Sequence, residues 1–351
     1  MHADSLATDI TTSQATHHQD SWQKELAGAN ISVKELFAEL ELPAQALEYV
    51  QSTHELESGF KLRVPATFRA KMKKGEFRDP LLRQILPLRR ELELAPGYSN
   101  DPLQESSYNP VPGLLHKYKS RALLTVTGNC AINCRYCFRR HFPYSENNPG
   151  RKHWYQAFDY IRQHSEINEV ILSGGDPLSA GDSQLEWLIN QLGSIEHLQR
   201  LRIHTRLPVV IPSRITETLV RALCQWPGKT VVVLHCNHPA EIDHEFGAAM
   251  TRLSDNGFLL LNQSVLLREV NDSVGVLAKL SEKLFDCGIL PYYLHLLDPV
   301  IGAHHFEVDK HRAVSLHREL ATEIPGFLLP RLVQELPGAK SKVAVELREP
   351  E

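Results

Sequence analysis

From residue 121 onward, short apolar runs alternate with stretches whose apolar residues return every three or four positions. The runs are ALLTV (122–126), EVILSGG (169–175), LRIHT (201–205), TVVVLH (230–235), GFLLLNQSVLL (257–267) and ILPYYLHLL (289–297). Their length and their Val, Ile, Leu and Tyr content predict strands. Between them lie amphipathic segments such as WYQAFDYIRQH, SQLEWLINQLGSI, ITETLVRALCQW and DSVGVLAKLSEKLFDCG, which predict helices. Six alternations predict a parallel sheet joined by crossover helices. Polar and glycine residues gather just after the strands, in TGNC, SGGDP, HTRLP, HCNHP, NQS and LLDPVIG. In parallel α/β folds the loops at the carboxyl ends of the strands form the ligand face. Six such loops on one face favour a barrel over an open sheet with a single switch point.

The first hundred residues have a different texture. SWQKELAGA and VKELFAELEL carry apolar residues at helical spacing, PATFRAKMKKGEF is a short basic amphipathic piece, and DPLLRQILPLRRELEL follows. No strand-like run precedes residue 121. APGYSNDPLQESSYNPVPGLL (95–115) is rich in Pro, Gly, Ser and Asn and reads as a linker or wrapping segment. The expected organisation is a disordered tail (1–20), a helical region with its linker (21–115), the α/β body (116–330) and a C-terminal segment (331–351).

Composition narrows the function. A length of 351 residues suits one large α/β domain with a smaller appendage, and a net charge of −4 gives no reason to expect a nucleic-acid or membrane-surface binder. The polar first twenty residues do not read as a secretory signal. No stretch approaches the ~20 apolar residues of a membrane span, so a cytoplasmic location is expected. Six cysteines are too few for a disulfide scaffold in a chain of this length. Cys224, Cys236 and Cys287, set among apolar or helical sequence, are expected as buried small hydrophobes.

The other three cysteines lie together in TGNCAINCRYCFRRH (127–141), spaced C-x-x-x-C-x-x-C at Cys130, Cys134 and Cys137. Three soft ligands point to a metal. With His141 as a fourth ligand they would make a zinc site, although such sites normally pair one C-x-x-C with a second, remote pair. The position of the run directly after a strand, with Tyr136 before the third cysteine, resembles the radical S-adenosylmethionine superfamily. There three cysteines hold a [4Fe-4S] cluster whose fourth iron is chelated by S-adenosylmethionine. The turn ILSGGDP after the next strand is similar to the superfamily segment that meets the amino group of S-adenosylmethionine, which implicates Ser173, Gly174, Gly175 and Asp176.

Within that superfamily the sequence resembles the lysine 2,3-aminomutases from about Tyr118 to Val345. The marks are CRYCFRRHFPY, EVILSGGDPL, RIHTRLPVVIPSRIT, HCNHPAEI, NQSVLLREVND, YYLHLLDPVIGAHHF and LPGAKSKVAV, in order. The resemblance implies a partial (β/α)6 TIM-like barrel with a helical N-terminal region. It also implies three cofactors: a [4Fe-4S] cluster, S-adenosylmethionine and pyridoxal 5′-phosphate. The family's internal-aldimine lysine falls on Lys342 in PGAKSK, with Lys340 as the rival because the family's glycines are replaced there.

Other family roles carry over by position. Lys117, Tyr118 and Arg121 match the clamp on the cofactor phosphate, and His235 and Gln263 match the S-adenosylmethionine site. Arg139 matches the arginine that binds the substrate carboxylate. Asp298 and Glu335 match two carboxylates that receive the substrate's distal ammonium, and His295 stands where a Tyr is expected. Two acids at that end favour a cationic substrate over glutamate. The chain has no cysteine after Cys287, so the zinc-binding tail of the longer members is not expected.

Short chains of this type resemble the bacterial branch that converts L-α-lysine to (R)-β-lysine for modification of elongation factor P. The implied partners are L-lysine, an electron donor, and a pathway link to elongation factor P and its lysine-attaching enzyme. Two other readings remain: an aminomutase acting on another amino acid, and a zinc-stabilised, non-catalytic binding module.

Overall fold

A computed structural model describes residues 21–52, 60–147 and 151–346. Nine strands form one sheet in sequence order: β1 (Leu114–Tyr118), β2 (Arg121–Thr127), β3 (Glu169–Gly174), β4 (Arg200–Thr205), β5 (Lys229–Leu234), β6 (Leu259–Val265), β7 (Leu290–His295), β8 (Arg331–Gln334) and β9 (Val343–Ala344). Strands β2 to β8 are parallel, and β1 and β9 flank them antiparallel. Crossover helices join the parallel strands: α1 (Arg151–Gln163), α2 (Asp182–Gly193), α3 (Glu217–Leu223), α4 (His244–Ser254), α5 (Val274–Asp286) and α6 (Lys310–Glu323). The sheet curls without closing, a partial barrel as expected. It carries one more parallel strand than six, because β8 pairs with β7 from Tyr293↔Arg331 to His295↔Val333.

Period-two alternation explains the layers. On β3, Val170 and Leu172 are buried beneath the helices, while Ile171 and Ser173 face a central cavity. On β4 the same alternation sends Leu201 and Ile203 outward and Arg202 and His204 inward. Helices α1 and α2 meet the outward face with Phe158, Ile161, Leu185 and Leu188, all fully buried. Burying such side chains contributes on the order of 2 kcal/mol each, which fixes strand register and so decides which residues face inward.

Several expectations need correction. Residues 114–118, read as the end of a linker and its junction with the body, form β1. It pairs with β2 through a two-residue turn, from Leu114↔Leu124 to Tyr118↔Arg121. The N-terminal region is helical but in short pieces, at residues 21–27, Val33–Glu39, Ala66–Arg69 and Pro80–Arg83. Its Leu36, Phe68, Leu81 and Ile85 belong to the same apolar core as the barrel. Cys236 is buried, but Cys287 is only partly so and Cys224 is exposed. The tail expected over residues 1–20 lies outside the described residues.

Candidate active site

The loop after β2 carries the three cysteines, and the N-terminal region clasps it from outside. Arg63 Nε donates to the Cys130 carbonyl at 2.8 Å, and the Arg135 amide donates to the Gln84 carbonyl at 2.9 Å. The Arg135 guanidinium is fully buried on Glu91. All three cysteines line one cavity of about 530 Å3. Burial, then repulsion from neighbours including Cys137 and Asp176, raises the Cys130 thiol well above its ordinary range. Burial and then Cys134 push Cys137 up to about 11. Such thiols become thiolates only against a compensating cation, which suits a cluster of iron ions. Among the described residues, no three His, Cys, Asp or Glu side chains form a group able to hold a single metal ion. His141, the candidate fourth ligand, is exposed and contacts the Ile301 carbonyl.

At the end of β3, a Gly–Gly turn lies flat against this loop. Gly174 has φ of +120°, and a Cβ there would stand 2.5 Å from the Thr127 carbonyl oxygen. At Gly175 a Cβ would meet the Asn129 carbonyl oxygen at 2.5 Å. Only glycine permits both this backbone and this approach. The Gly175 and Asp176 amides donate to Thr127 and Asn129 carbonyls at 2.7 and 2.8 Å. The Asp176 carboxylate does not stand free for a ligand. It accepts from Thr205 Oγ1 at 2.7 Å and from the Leu178, Arg206 and Leu207 amides at 3.0, 2.7 and 2.9 Å, and so braces the loop after β4.

Beside this turn, Arg139 is buried with Nη1 on Ser173 Oγ at 3.1 Å. Its Nε and Nη2 bind both oxygens of Glu105 at 2.7 and 2.6 Å. Glu105 went unseen in the sequence because it sits in the Pro- and Ser-rich stretch read as a linker.

The opposite wall is built where the two edges of the sheet approach. Glu335 and Lys342 are the first and last residues of the β8–β9 hairpin loop, so their side chains meet, Nζ to Oε2 at 2.6 Å. Across the gap, β1 reaches the same carboxylate: Tyr118 donates to Glu335 Oε1 at 2.8 Å, and Lys117 Nζ lies 3.4 Å away. The Arg121 guanidinium lies 4.2 Å from the Tyr118 ring centroid. Burial opposes ionisation of Glu335, but Lys342, Tyr118 and Lys117 overcome it and hold the carboxyl down to about 2. Asp298, in the loop after β7, goes the other way. Burial, then the Glu335 charge, push it up to about 7 against the pull of Lys342 and Lys117. Lys340 is exposed, whereas Lys342 lines the cavity.

Between the two walls, His235 and Gln263 meet at 2.8 Å. Burial, with Arg206 and Arg139 nearby, lowers His235 to about 3, so it is neutral. His204, which sequence reading did not single out, packs edge-on against His235 with ring centroids 5.9 Å apart. His204 Nε2, His295 Nε2 and Gln263 Oε1 are buried without a partner, and all three residues line the cavity. Unpaired polar atoms around one space fit a polar ligand. The sequence-predicted residues are thus brought to one cavity; of them, Asp176 is already committed to backbone amides and Arg139 is already paired.

No family model matches the sequence. Among curated proteins it is similar to an L-lysine 2,3-aminomutase of Escherichia coli (strain K12), 48% identical over 95% of this chain and 96% of that one. The L-lysine 2,3-aminomutase of Haemophilus influenzae is 49% identical over 92% and 95%. That of Clostridium subterminale is 35% identical over 87% of this chain and 75% of its own. A radical SAM methyltransferase of Sphaerobacter thermophilus superposes with a TM-score of 0.45 at 17% identity, over 63% of this chain and 68% of that one, a likeness too distant to carry an argument. With nearly half its residues shared over almost the full length of such relatives, the chain belongs to the L-lysine 2,3-aminomutase family of radical S-adenosylmethionine isomerases.

Proposed function

We propose that this enzyme converts L-α-lysine to (R)-β-lysine, using a [4Fe-4S] cluster, S-adenosylmethionine and pyridoxal 5′-phosphate, and that the product serves the modification of elongation factor P. The observation that carries this reading is a single cavity with the three thiols and the Gly–Gly turn on one wall, and Lys342, Glu335 and Asp298 on the other. When bound, the cluster and S-adenosylmethionine supply a radical that removes a hydrogen atom, and pyridoxal phosphate supplies a π-system through which the amino group migrates.

The protein's own part is placement, charge and dryness. Cys130, Cys134 and Cys137 hold the cluster. The backbone of Ser173, Gly174 and Gly175, with His235 and Gln263, receives S-adenosylmethionine. Asp176 acts at one remove by fixing the loop after β4. Lys342 anchors pyridoxal phosphate, and Lys117, Tyr118 and Arg121 bind its phosphate. Arg139 binds the substrate carboxylate next to the cysteine loop, while Asp298 and Glu335 take the distal ammonium. That Glu335 already accepts a primary alkylammonium, the Lys342 head group, supports this last assignment. His235, lowered to about 3 by burial, is neutral at physiological pH and places no positive charge against a cationic ligand. The net reaction exchanges an amino group and a hydrogen between adjacent carbons, so no electron is consumed overall.

The test is anaerobic reconstitution with iron, sulfide and pyridoxal phosphate, then incubation with L-lysine, S-adenosylmethionine and a strong reductant. Chiral chromatography should show (R)-β-lysine, and L-glutamate should give no β-amino product. Failure to form β-lysine with a loaded cluster refutes the reading. In cells lacking the gene, β-lysylated elongation factor P should disappear and return when (R)-β-lysine is supplied.

A further inference from the structure

Arg206, in the loop after β4, is not used by the function proposed above. Its side chain is 6% exposed. Nη1 lies 2.7 Å from Cys134 Sγ and also donates to the Tyr136 hydroxyl. Nη2 donates to Gln84 Oε1 at 2.7 Å and to Glu241 Oε2 at 3.1 Å. The guanidinium lies 5.5 and 5.7 Å from the Phe68 and Tyr136 ring centroids. The backbone is fixed as tightly, because the Arg206 amide donates to Asp176.

Buried structural arginines are normally matched by a carboxylate. Arg135 in this chain is one, with Glu91 taking both its Nε and Nη2. Arg206 is not matched in that way. Glu241 offers it one oxygen, while the other oxygen accepts from Gln84 Nε2 at 3.1 Å and from the Asn237 and His238 amides at 3.1 and 3.0 Å. The Glu241 charge is therefore shared among four donors, and the free end of the Arg206 fork is turned to sulfur. Hydrogen bonds to cysteine sulfur and nearby positive charge both stabilise the more negative, reduced state of an iron–sulfur cluster.

We propose that Arg206 is a positioning residue that holds the Cys134 sulfur and raises the reduction potential of the cluster, making the electron that primes the cluster for radical chemistry easier to accept. This rests on the cluster reading given above. Gln84 extends the control to the N-terminal region, since its Oε1 also accepts from Asn237 Nδ2 at 3.0 Å. The cluster loop, the β4 and β5 loops and the N-terminal region are thus tied into one polar network whose cation faces the Cys134 sulfur.

The test is an anaerobic redox titration, followed by electron paramagnetic resonance, of reconstituted wild type, Arg206→Gln and Arg206→Lys without S-adenosylmethionine. Iron and sulfide are assayed in parallel. The midpoint of Arg206→Gln should move to more negative potential at unchanged iron content, with Arg206→Lys between it and wild type. Arg206→Lys keeps the buried charge but loses the fork, and it decides the matter where Arg206→Gln does not fold. A merely structural arginine would alter stability and leave the potential alone. Loaded variants with the wild-type midpoint refute this inference and spare the function; wild-type protein that takes up no cluster refutes both.

Discussion

Asp298 offers a quantitative check on the charge pattern of the cavity wall that it shares with Glu335 and Lys342. Its carboxyl is raised from 3.8 to about 7 by burial, then by the Glu335 charge, with Glu105 adding to the rise and Lys342 and Lys117 opposing it. Between those two values the folded chain holds a proton that the unfolded chain has released, so stability falls as pH rises through this window. At about 1.4 kcal/mol per pKa unit, the full penalty above pH 7 is on the order of 4 kcal/mol. Asp298→Asn is isosteric and cannot ionise, so it removes the penalty. Urea unfolding of the metal-free polypeptide, under reducing anaerobic conditions, should show the variant gaining on wild type as pH increases. The difference between the two proteins should grow by about 2–3 kcal/mol from pH 5 to pH 8. Subtracting wild type from variant cancels the other titrating groups. A difference that stays constant, or that shrinks with pH, would refute the proposed environment of Asp298. The same proton bears on binding: an arriving ammonium must displace it below pH 7, so affinity for a diamino acid should tighten as pH rises through that value.

Three further outcomes are expected. Glu105→Gln removes the charge partner of buried Arg139, a loss of about 3–5 kcal/mol in such pairs; KM for L-lysine should rise with cluster content unchanged, and an unaltered KM would detach Glu105 from the substrate site. Gly175→Ala places a Cβ 2.5 Å from the Asn129 carbonyl oxygen and should weaken S-adenosylmethionine binding, measured by calorimetry, besides costing about 1–3 kcal/mol of stability; wild-type affinity would show that the turn tolerates movement. Lys342→Ala should abolish the absorbance band of bound pyridoxal phosphate while Lys340→Ala keeps it, and the opposite result would transfer the anchor to Lys340.

The candidate site residues that the sequence offered without a fold are those that lie close together along the chain. Three thiols within eight positions need no fold to be recognised, and β2 to β7 announce themselves through short apolar runs bounded by Gly, Pro and Asn. Glu335 and Lys342 are matched only through the resemblance; the β8–β9 hairpin that joins them is not expected from the sequence. What the sequence could not disclose depends on partners far along the chain. LLHKY (114–118) carries too few β-formers to stand out, and becomes a strand because β2 offers it an antiparallel edge. Glu105 meets Arg139 across 34 residues, and Arg206 meets Cys134 across 72. Asp176 loses its apparent freedom to amides of the β4 loop, about 30 residues on. Cys224, which lies in an apolar helical pattern, ends up exposed just beyond α3. Local pattern determined which thiols, acids and cations stand as candidates for the site. Packing of the sheet edges and the N-terminal region determined which of those charges are already paired, because burial makes each unpaired charge costly enough to recruit a partner from wherever the chain passes.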